Sequence, residues 1–187
     1  GVDKIIKPGE NQVSLLNYMD VARNRYINSK ILSAITSASM KQIADCDIRK
    51  NDIFITPSSE TKDDLAYASV ITEDIDNAVY SYHIMRLRPQ ANIQLNSSFV
   101  AYLFRSDQIQ KQIAAKTTGM TRFGLTKGKW ETLKFPFPPI EIQDELVRIL
   151  DAFTELEAEL EAELQARRKQ FEYYRNKLLT FKEIEVE

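Results

Sequence analysis

Residues 140–181 read IEIQDELVRILDAFTELEAELEAELQARRKQFEYYRNKLLTF, a stretch that contains neither proline nor glycine. Ala, Leu, Glu, Gln, Lys and Arg dominate it, and these residues favour helix. The stretch therefore predicts one long helix of about 60 Å, at about 1.5 Å per residue. A single domain does not need so long a helix for its own core, so we expect the helix to pair with another.

Apolar side chains recur along this helix at alternating spacings of three and four residues, which is typical of a coiled-coil seam. The residues predicted to form a dimer contact are Phe153, Leu156, Leu160, Leu164, Arg167, Phe171, Tyr174 and Leu178. Two consecutive steps of four between Leu156 and Leu164 predict a stutter, which shifts the phase of the seam.

Charge is segregated along the same helix. Five glutamates lie between residues 155 and 163, and five basic residues lie between residues 167 and 177. Two parallel copies would place the glutamates opposite each other, whereas antiparallel copies that cross near Gln165 would place Glu163 opposite Arg167. The pattern therefore predicts an antiparallel homodimer. The alternative is a solvated helix that packs on its own domain.

Turn-forming residues interrupt the first 138 residues often, and the short apolar runs between them are rich in β-branched and aromatic residues, as strands are. The predicted strands are 13–21, 53–56, 66–71 and 80–87, and the predicted helix is 97–116. A loop at 117–124 and three prolines within 135–139 precede the long helix. The sequence thus predicts a mixed α+β domain over residues 1–138, followed by a long coiled-coil helix over residues 139–187.

The net charge of −2 over 187 residues would by itself argue against a polyanionic partner. The average conceals two opposite regions. Residues 81–140 carry 9 Lys and Arg against 2 Asp and Glu, a balance of +7, whereas residues 141–187 carry 7 against 13, a balance of −6. A positive sector therefore precedes a negative tail, and the charge is compatible with nucleic-acid binding.

No apolar run approaches the roughly 20 residues of a membrane span, and the first residues have no signal-peptide core. The one cysteine, Cys46, cannot form an internal disulfide, and we expect it to be a buried structural thiol. These features predict a soluble protein of the reducing cytoplasm.

Three polar clusters, at residues 23–30, 56–62 and 117–122, offer the donors, acceptors and cations that contacts to bases and phosphates require. The candidate DNA-binding residues in them are Arg23, Arg25, Asn28, Lys30, Thr56, Ser58, Ser59, Lys62, Thr118, Thr121 and Arg122. Tyr82, His83 and Arg86 are weaker candidates, because alternate residues of a strand face the core. For each cluster the alternative is an ordinary polar surface loop.

No catalytic or metal site is convincing in the sequence. His83 and Cys46 have no partners for zinc or thiol chemistry, and neither an Asn/Asp-Pro-Pro-Tyr motif nor a glycine-rich cofactor turn occurs. Asp52, Glu60 and Lys62 can be fitted to a nuclease pattern, but such triplets often arise by chance. We therefore expect neither catalysis nor a bound cofactor or metal in this chain.

Two segments of the chain resemble conserved parts of type I restriction-modification specificity subunits. Residues 136–151, from Pro136 through Gln143 to Leu150-Asp151, resemble the signature PPxxEQ..IV.ILD, with Ile142 where the family often has Glu. Residues 166–181, ARRKQFEYYRNKLLTF, resemble the end of one of the family's conserved helices, with Phe171 where Tyr is frequent. Segments around residues 15–21, 54–60, 80–89 and 118–123 resemble one group of its target recognition domains.

The resemblance implies a non-catalytic subunit that reads DNA sequence for partner enzymes. Family members usually carry two recognition domains and two antiparallel helices, whereas this chain carries one of each. It therefore implies either a half-sized subunit that dimerises or a piece of a longer chain. The implied partners are double-stranded DNA, adenine methyltransferase subunits that hold S-adenosylmethionine, and a restriction subunit that can join them. A rival interpretation from another class is a coiled-coil adaptor whose front domain binds protein.

Overall fold

Short strands and short helices alternate before the long helix, so the predicted α+β class is confirmed. The computed structural model describes residues 1–61, 65–119 and 121–181. Its strands are β1 (Asn11–Leu16), β2 (Tyr26–Ile27), β3 (Ala34–Ala38), β4 (Ile53–Ile55), β5 (Ser58–Ser59), β6 (Ala68–Ile71), β7 (Ala78–Tyr80), β8 (Met85–Leu87) and β9 (Phe123–Gly124). Its helices are α1 (Tyr18–Arg23), α2 (Met40–Asp45), α3 (Ser97–Arg105), α4 (Asp107–Lys116), α5 (Lys127–Glu131) and α6 (Ile140–Leu179).

The strands form separate small sheets rather than one large one. One sheet has the order β3-β1-β7, with β1 antiparallel to β3 and parallel to β7. Another has the order β2-β6-β4-β8, and β4 is antiparallel to both of its neighbours. The short strands β5 and β9 form a separate two-stranded sheet. The chain divides into two compact units, Gly1–Asp144 and Glu145–Glu187, and all of these sheets lie in the first.

Strand β4 is central to the core because both of its faces are buried. Ile53 and Ile55 pack in one apolar cluster with residues of α3 and α4, such as Phe104 and Ile109, while Phe54 packs in a second cluster. All three β4 side chains have no exposed surface. An uninterrupted apolar run is the expected pattern for a strand covered on both faces. Cys46 is a buried free thiol in a third cluster, as the sequence predicted.

The predicted first strand, residues 13–21, is wrong in its second half, because the chain turns into α1 after Leu16. Asn17 is the cause. Its side chain accepts hydrogen bonds from the backbone N–H groups of Met19 and Asp20, and the Asp20 carboxylate accepts the N–H of Asn17 at 3.0 Å. This reciprocal capping box stabilises a helix start at the point where the apolar run alone suggested a continuing strand.

Two further predictions joined elements that the structure separates. Residues 80–87 do not form one strand, because β7 ends at Tyr80 and β8 begins at Met85 in a different sheet. The predicted helix at 97–116 is interrupted at Ser106, whose hydroxyl accepts the N–H of Ile109 at 3.4 Å and so caps α4. The elements β2, β3, α2, β5, β9 and α5 were not predicted.

The long helix is confirmed as α6, and it ends at Leu179 rather than at Phe181. Its seam residues are exposed, with Leu160 at 57% and Phe171 at 65% of their maximal exposure. No helix in the described parts of the chain is long and apolar enough to cross a membrane.

The first turn of α6 is joined to the start of α3 by the buried side chain of Gln143. Its Oε1 accepts the N–H of Asn96 at 3.0 Å, and its Nε2 donates to the carbonyl of Pro138 at 2.8 Å. Asn96 in turn caps α3 and donates from Nδ2 to the Asp144 carboxylate at 2.8 Å. Gln143 has no exposed surface, so these hydrogen bonds satisfy groups that water cannot reach.

We expect Gln143→Ala to lower the free energy of unfolding by about 1–3 kcal/mol, because it leaves the N–H of Asn96 and the carbonyl of Pro138 without this partner. Urea denaturation followed by circular dichroism measures the change. The matched control is Gln165→Ala on the exposed part of α6, which we expect to be close to neutral. Equal stability of the two variants would contradict the assigned role of Gln143.

Candidate nucleic-acid interface

An open cleft of about 660 Å³ brings together segments that lie far apart in the sequence. Its lining residues are Tyr18, Met19 and Ala22 of α1, Ser58, Ser59, Glu60 and Thr61, then Tyr67, His83 and Arg122. Two of the predicted polar clusters and the weaker candidate His83 therefore meet at one place. Hydroxyls, a carboxylate, an imidazole and a guanidinium face the same open space.

One wall of the cleft is built by the pairing of β5 with β9. Ser58 lies opposite Gly124, and Ser59 lies opposite Phe123. Arg122 adds a side-chain link, because its Nε donates to the hydroxyl of Ser58 at 3.0 Å. A Cβ on Gly124 would lie 3.2 Å from the carbonyl oxygen of Pro57, so a glycine suits this close approach. The loop that follows β4 and the loop before β9 thus act as one surface.

The loop at Thr118–Gly124 is a tight turn that presents polar side chains to solvent. Thr118 and Gly124 exchange backbone hydrogen bonds of 3.1 Å in both directions. Gly119 has a φ of +133°, and a Cβ there would lie 1.9 Å from the carbonyl oxygen of Arg122. Only glycine fits this turn without distortion. Thr118, Thr121 and Arg122 are all exposed on it.

Tyr82 and His83 form an exposed aromatic pair at the cleft. Their ring centroids lie 3.9 Å apart. The backbone N–H of His83 donates to the buried hydroxyl of Ser81 at 3.3 Å, which holds the turn between β7 and β8. The expectation that residues 80–87 form a strand was wrong, and for that reason Tyr82 and His83 can face solvent on adjacent positions.

The first polar cluster, at 23–30, is divided by the structure. Arg23 is exposed at the end of α1, next to the cleft residue Ala22. The guanidinium of Arg25 lies over the ring of Tyr102, with Cζ 4.0 Å from the centroid. Asn28 and Lys30 belong to a separate turn, where the Asn28 side chain accepts the N–H of Lys30 at 3.1 Å. None of these four residues lines the cleft itself.

Of the other candidates, Thr56, Ser59 and Arg86 are not presented as the sequence suggested. Thr56 has no exposed surface, and its hydroxyl accepts the N–H of Tyr67 at 2.9 Å, so it holds the loop from inside. The prediction that Thr56 offers a hydroxyl to DNA is corrected, because strand β4 carries it into the core. Ser59 is also buried, and Lys62 lies outside the described residues. Arg86 is held in an internal ion pair.

That ion pair belongs to a network between β8 and the turn before β4. Arg86 donates from Nη1 to the Asp47 carboxylate at 3.0 Å. Arg88 binds Asp52 through two hydrogen bonds, of 2.6 Å from Nε and 2.7 Å from Nη2, and also reaches Asp47 at 3.0 Å. Arg49 hydrogen-bonds Asp47 from the exposed side. The carboxylates neutralise two arginines of the positive sector inside the protein.

The network shifts the pKa values of Asp47 and Arg88. Burial alone would raise the pKa of Asp47, but hydrogen bonds from Arg49 and Arg88 outweigh it and lower the pKa below its usual 3.8. The hydrogen bond to Asp52 raises the pKa of Arg88 well above its ordinary range. Both shifts favour the charged forms of Asp47 and Arg88. Of the residues in the nuclease pattern, Asp52 is bound by Arg88, Glu60 lines the cleft, and Lys62 lies outside the described residues.

Some residues of the site were not identified from the sequence. Tyr18 and Met19 reach the cleft because α1 starts at Asn17, and the Asn17–Asp20 spacing of the capping box was the available signal. Tyr67 lines the cleft through a tertiary arrangement that no local pattern reveals. In the described residues no group of His, Cys, Asp and Glu is placed to hold a metal ion.

The first unit is thus an α+β domain with an open polar cleft, and a 40-residue helix follows it. The sequence model of the family described as type I restriction modification DNA specificity domain matches residues 8–167. The chain belongs to this family.

Individual relatives agree with the family match. The type I restriction enzyme EcoR124I/EcoR124II specificity subunit of Escherichia coli is 62% identical over 52 residues, which are 28% of this chain and 13% of that protein. The solved HsdS subunit of Thermoanaerobacter tengcongensis shares the fold with a TM-score of 0.62 at 18% identity, over 88% of this chain and 41% of that one. A chain from a structure on complex assembly and conformational transition of the type I restriction-modification system has a TM-score of 0.66 at 18% identity, over 98% and 49%. The chain therefore spans less than half the length of these relatives.

Proposed function

We propose that residues 1–138 bind a short segment of double-stranded DNA through the cleft. In this proposal the chain is a non-catalytic recognition subunit of a type I restriction-modification complex, or part of a longer subunit of that kind. The observation that carries this proposal is the meeting of the loop at Ser58–Thr61, the loop at Thr118–Gly124 and His83 at one open surface. Family membership supports it, because the family is described as a DNA specificity domain.

The chemistry of the cleft suits base reading. Arg122 offers a guanidinium that can donate two hydrogen bonds to a guanine edge, and Glu60 offers an acceptor for the amino group of cytosine. Ser58 and Thr121 offer hydroxyls, which bind either kind of edge. The exposed Arg23 lies beside the cleft, where a cation would contact the phosphate backbone. Lys30, Asn28 and Arg86 have no such position and contribute less in this proposal.

The second unit is proposed to act as a spacer. Residues 139–187 would pair with a second copy as an antiparallel coiled coil and so hold two recognition domains at a set separation. The exposed seam of α6 and the segregated charges support this arrangement. Methyltransferase subunits that carry S-adenosylmethionine, and a restriction subunit, are the proposed protein partners in the cytoplasm. The alternative partner of the seam is an unrelated coiled coil, as in the adaptor interpretation.

We expect the protein to bind duplex DNA with an affinity that falls steeply as salt increases, because contacts to phosphates release counterions. Arg122→Ala is expected to weaken binding to the preferred sequence by about 1–3 kcal/mol, and to relax the preference at one base pair. Methylome sequencing of cells that carry the protein with its methyltransferase identifies the preferred sequence, and fluorescence anisotropy measures the affinity.

The matched control is Arg49→Ala, which also removes an exposed arginine but lies outside the cleft. We expect that variant to bind as the unaltered protein does. Affinity for duplex that does not change between 50 and 200 mM salt would favour the adaptor interpretation over DNA recognition.

A further inference from the structure

Two arginine–tyrosine stacks lie beside the cleft and include residues that the sequence did not single out. The guanidinium carbon of Arg105 lies 4.1 Å from the ring centroid of Tyr67, a residue that lines the cleft. The guanidinium carbon of Arg25 lies 4.0 Å from the ring centroid of Tyr102. Tyr102 and Arg105 are three residues apart on α3, so they share one face of that helix. The two stacks are therefore neighbours.

The charge of Arg25 acts on Arg105, as expected for neighbouring stacks. Burial lowers the pKa of Arg105, and the positive charge of Arg25 lowers it further, while Tyr67 partly offsets these effects. Two guanidinium groups within range of each other repel, and stacking on the rings compensates part of that cost. An anion bound beside Arg105 would weaken this repulsion.

Arg105 differs from the arginines of the internal network. Arg86 and Arg88 are each bound by a carboxylate, whereas within the described residues no carboxylate forms a salt bridge with Arg105. Its side chain is exposed at the end of α3. A stacked guanidinium keeps its N–H groups in the plane of the group, directed away from the ring, which is the geometry that phosphate oxygens accept.

We propose that Arg25 and Arg105, held by Tyr102 and Tyr67, form an arginine clamp that binds phosphate groups of the DNA backbone next to the base-reading cleft. The clamp rests on the proposed function and adds the element that positions the DNA. Phosphate contacts set the register and orientation of a protein on the duplex and carry no sequence information directly. Tyr67 lines the cleft and also stacks on Arg105. It is a positioning residue, because it holds Arg105 at the border of the cleft.

The test compares Arg25→Ala, Arg105→Ala and the double variant with the unaltered protein, by anisotropy on one duplex of the preferred sequence and one of scrambled sequence. Each single variant is expected to bind both duplexes about eightfold more weakly at 0.1 M salt, and to make the slope of log affinity against log salt shallower by about 0.9. The double variant should change the slope by about twice as much. The ratio of affinities for the two duplexes should stay the same.

Two controls separate lost contacts from lost structure. Arg105→Lys keeps the charge without the planar group, so we expect it to keep most of the salt slope, which a variant that fails to fold would not. Arg49→Ala removes an exposed arginine elsewhere and should leave the slope unchanged.

The outcomes distinguish the clamp from the function on which it rests. Alanine variants of Arg25 and Arg105 that retain the full slope, while Arg122→Ala still loses affinity, would overturn the clamp and leave the proposed function intact. Absence of duplex binding by the unaltered protein at 50 mM salt would overturn both. A change in the preference for one duplex over the other would assign the two arginines to base reading instead.

Discussion

Arg88→Ala is expected to lower the free energy of unfolding by about 3–5 kcal/mol, because it removes one partner of a buried ion pair and leaves the other charge uncompensated. The side chain of Asp52 is only 1% exposed, and Arg88 supplies two hydrogen bonds to it. The same arginine also binds Asp47. A loss of this size is a large part of the stability of an ordinary domain. Urea denaturation monitored by circular dichroism measures it.

Two comparisons make this prediction specific. Arg49→Ala removes another arginine from the same network, but that side chain is 65% exposed, so the loss should be small. Replacing both members of the buried pair, as Arg88→Met with Asp52→Leu, should recover most of the stability, since no unpaired charge is left. If Arg88→Ala were as stable as Arg49→Ala, the buried pair would not hold β8 to the turn before β4.

The contribution of the network to stability also depends on pH. The direction of that dependence follows from the pKa of Asp47. Because the pKa of Asp47 is lower in the folded protein than its usual 3.8, its contribution is complete above that value and is lost as pH falls through the folded pKa. The stability difference between the unaltered protein and Arg88→Ala should therefore narrow below about pH 4. Denaturation curves at pH 7 and pH 3 measure this narrowing.

Replacing Leu160 and Leu164 together by Asp is expected to convert the proposed dimer into a monomer. In an antiparallel pair that crosses near Gln165, both leucines lie close to the centre, and each substitution occurs in both copies. Burial of a leucine contributes about 1.5–3 kcal/mol, so the dissociation constant should rise by at least about a thousandfold. Light scattering at micromolar concentration should change from about twice 21.6 kDa to 21.6 kDa.

The matched control is Ala158→Asp with Ala162→Asp, which adds the same charge and the same helix-disfavouring residue away from the seam. Both alanines are exposed on α6. That variant should remain dimeric, and circular dichroism should report equal helix content for both variants. A monomer formed by the unaltered protein at the same concentration would contradict the homodimer proposal.

The long helix could be predicted because its signal is local. Forty residues without proline or glycine need no tertiary contact to define their conformation. Strand β4 was predictable for a related reason. A short apolar run that ends before Pro57 is compatible with few conformations other than a buried strand. The short strands β5 and β9, of two residues each, have no such signal. They exist only because the loops at Ser58 and Phe123 meet in three dimensions.

Local polar side chains decided the places where the predicted elements were wrong. Asn17 and Ser106 each satisfy free N–H groups at a helix start, and each therefore ends one element and begins another within a segment that was predicted to be continuous. Candidate site residues failed for a different reason. Chemistry placed Thr56 and Arg86 among the binding candidates, but the strand that carries Thr56 is buried and Asp47 occupies Arg86. Sequence composition counts charges and hydroxyls without showing which ones face solvent.

The internal neutralisation of Arg86 and Arg88 has a consequence for search along a genome. A protein with a net charge of −2, in which its own carboxylates occupy Arg86 and Arg88, has fewer cations to hold it on arbitrary DNA than its positive sector suggests. Non-cognate sites outnumber the target by about a millionfold or more, and each of them competes for the protein in proportion to this sequence-independent attraction. Weak sequence-independent binding keeps the amount of protein held at non-cognate sites small. Under the proposed function, most of the residence time on DNA then depends on the few side chains in the cleft.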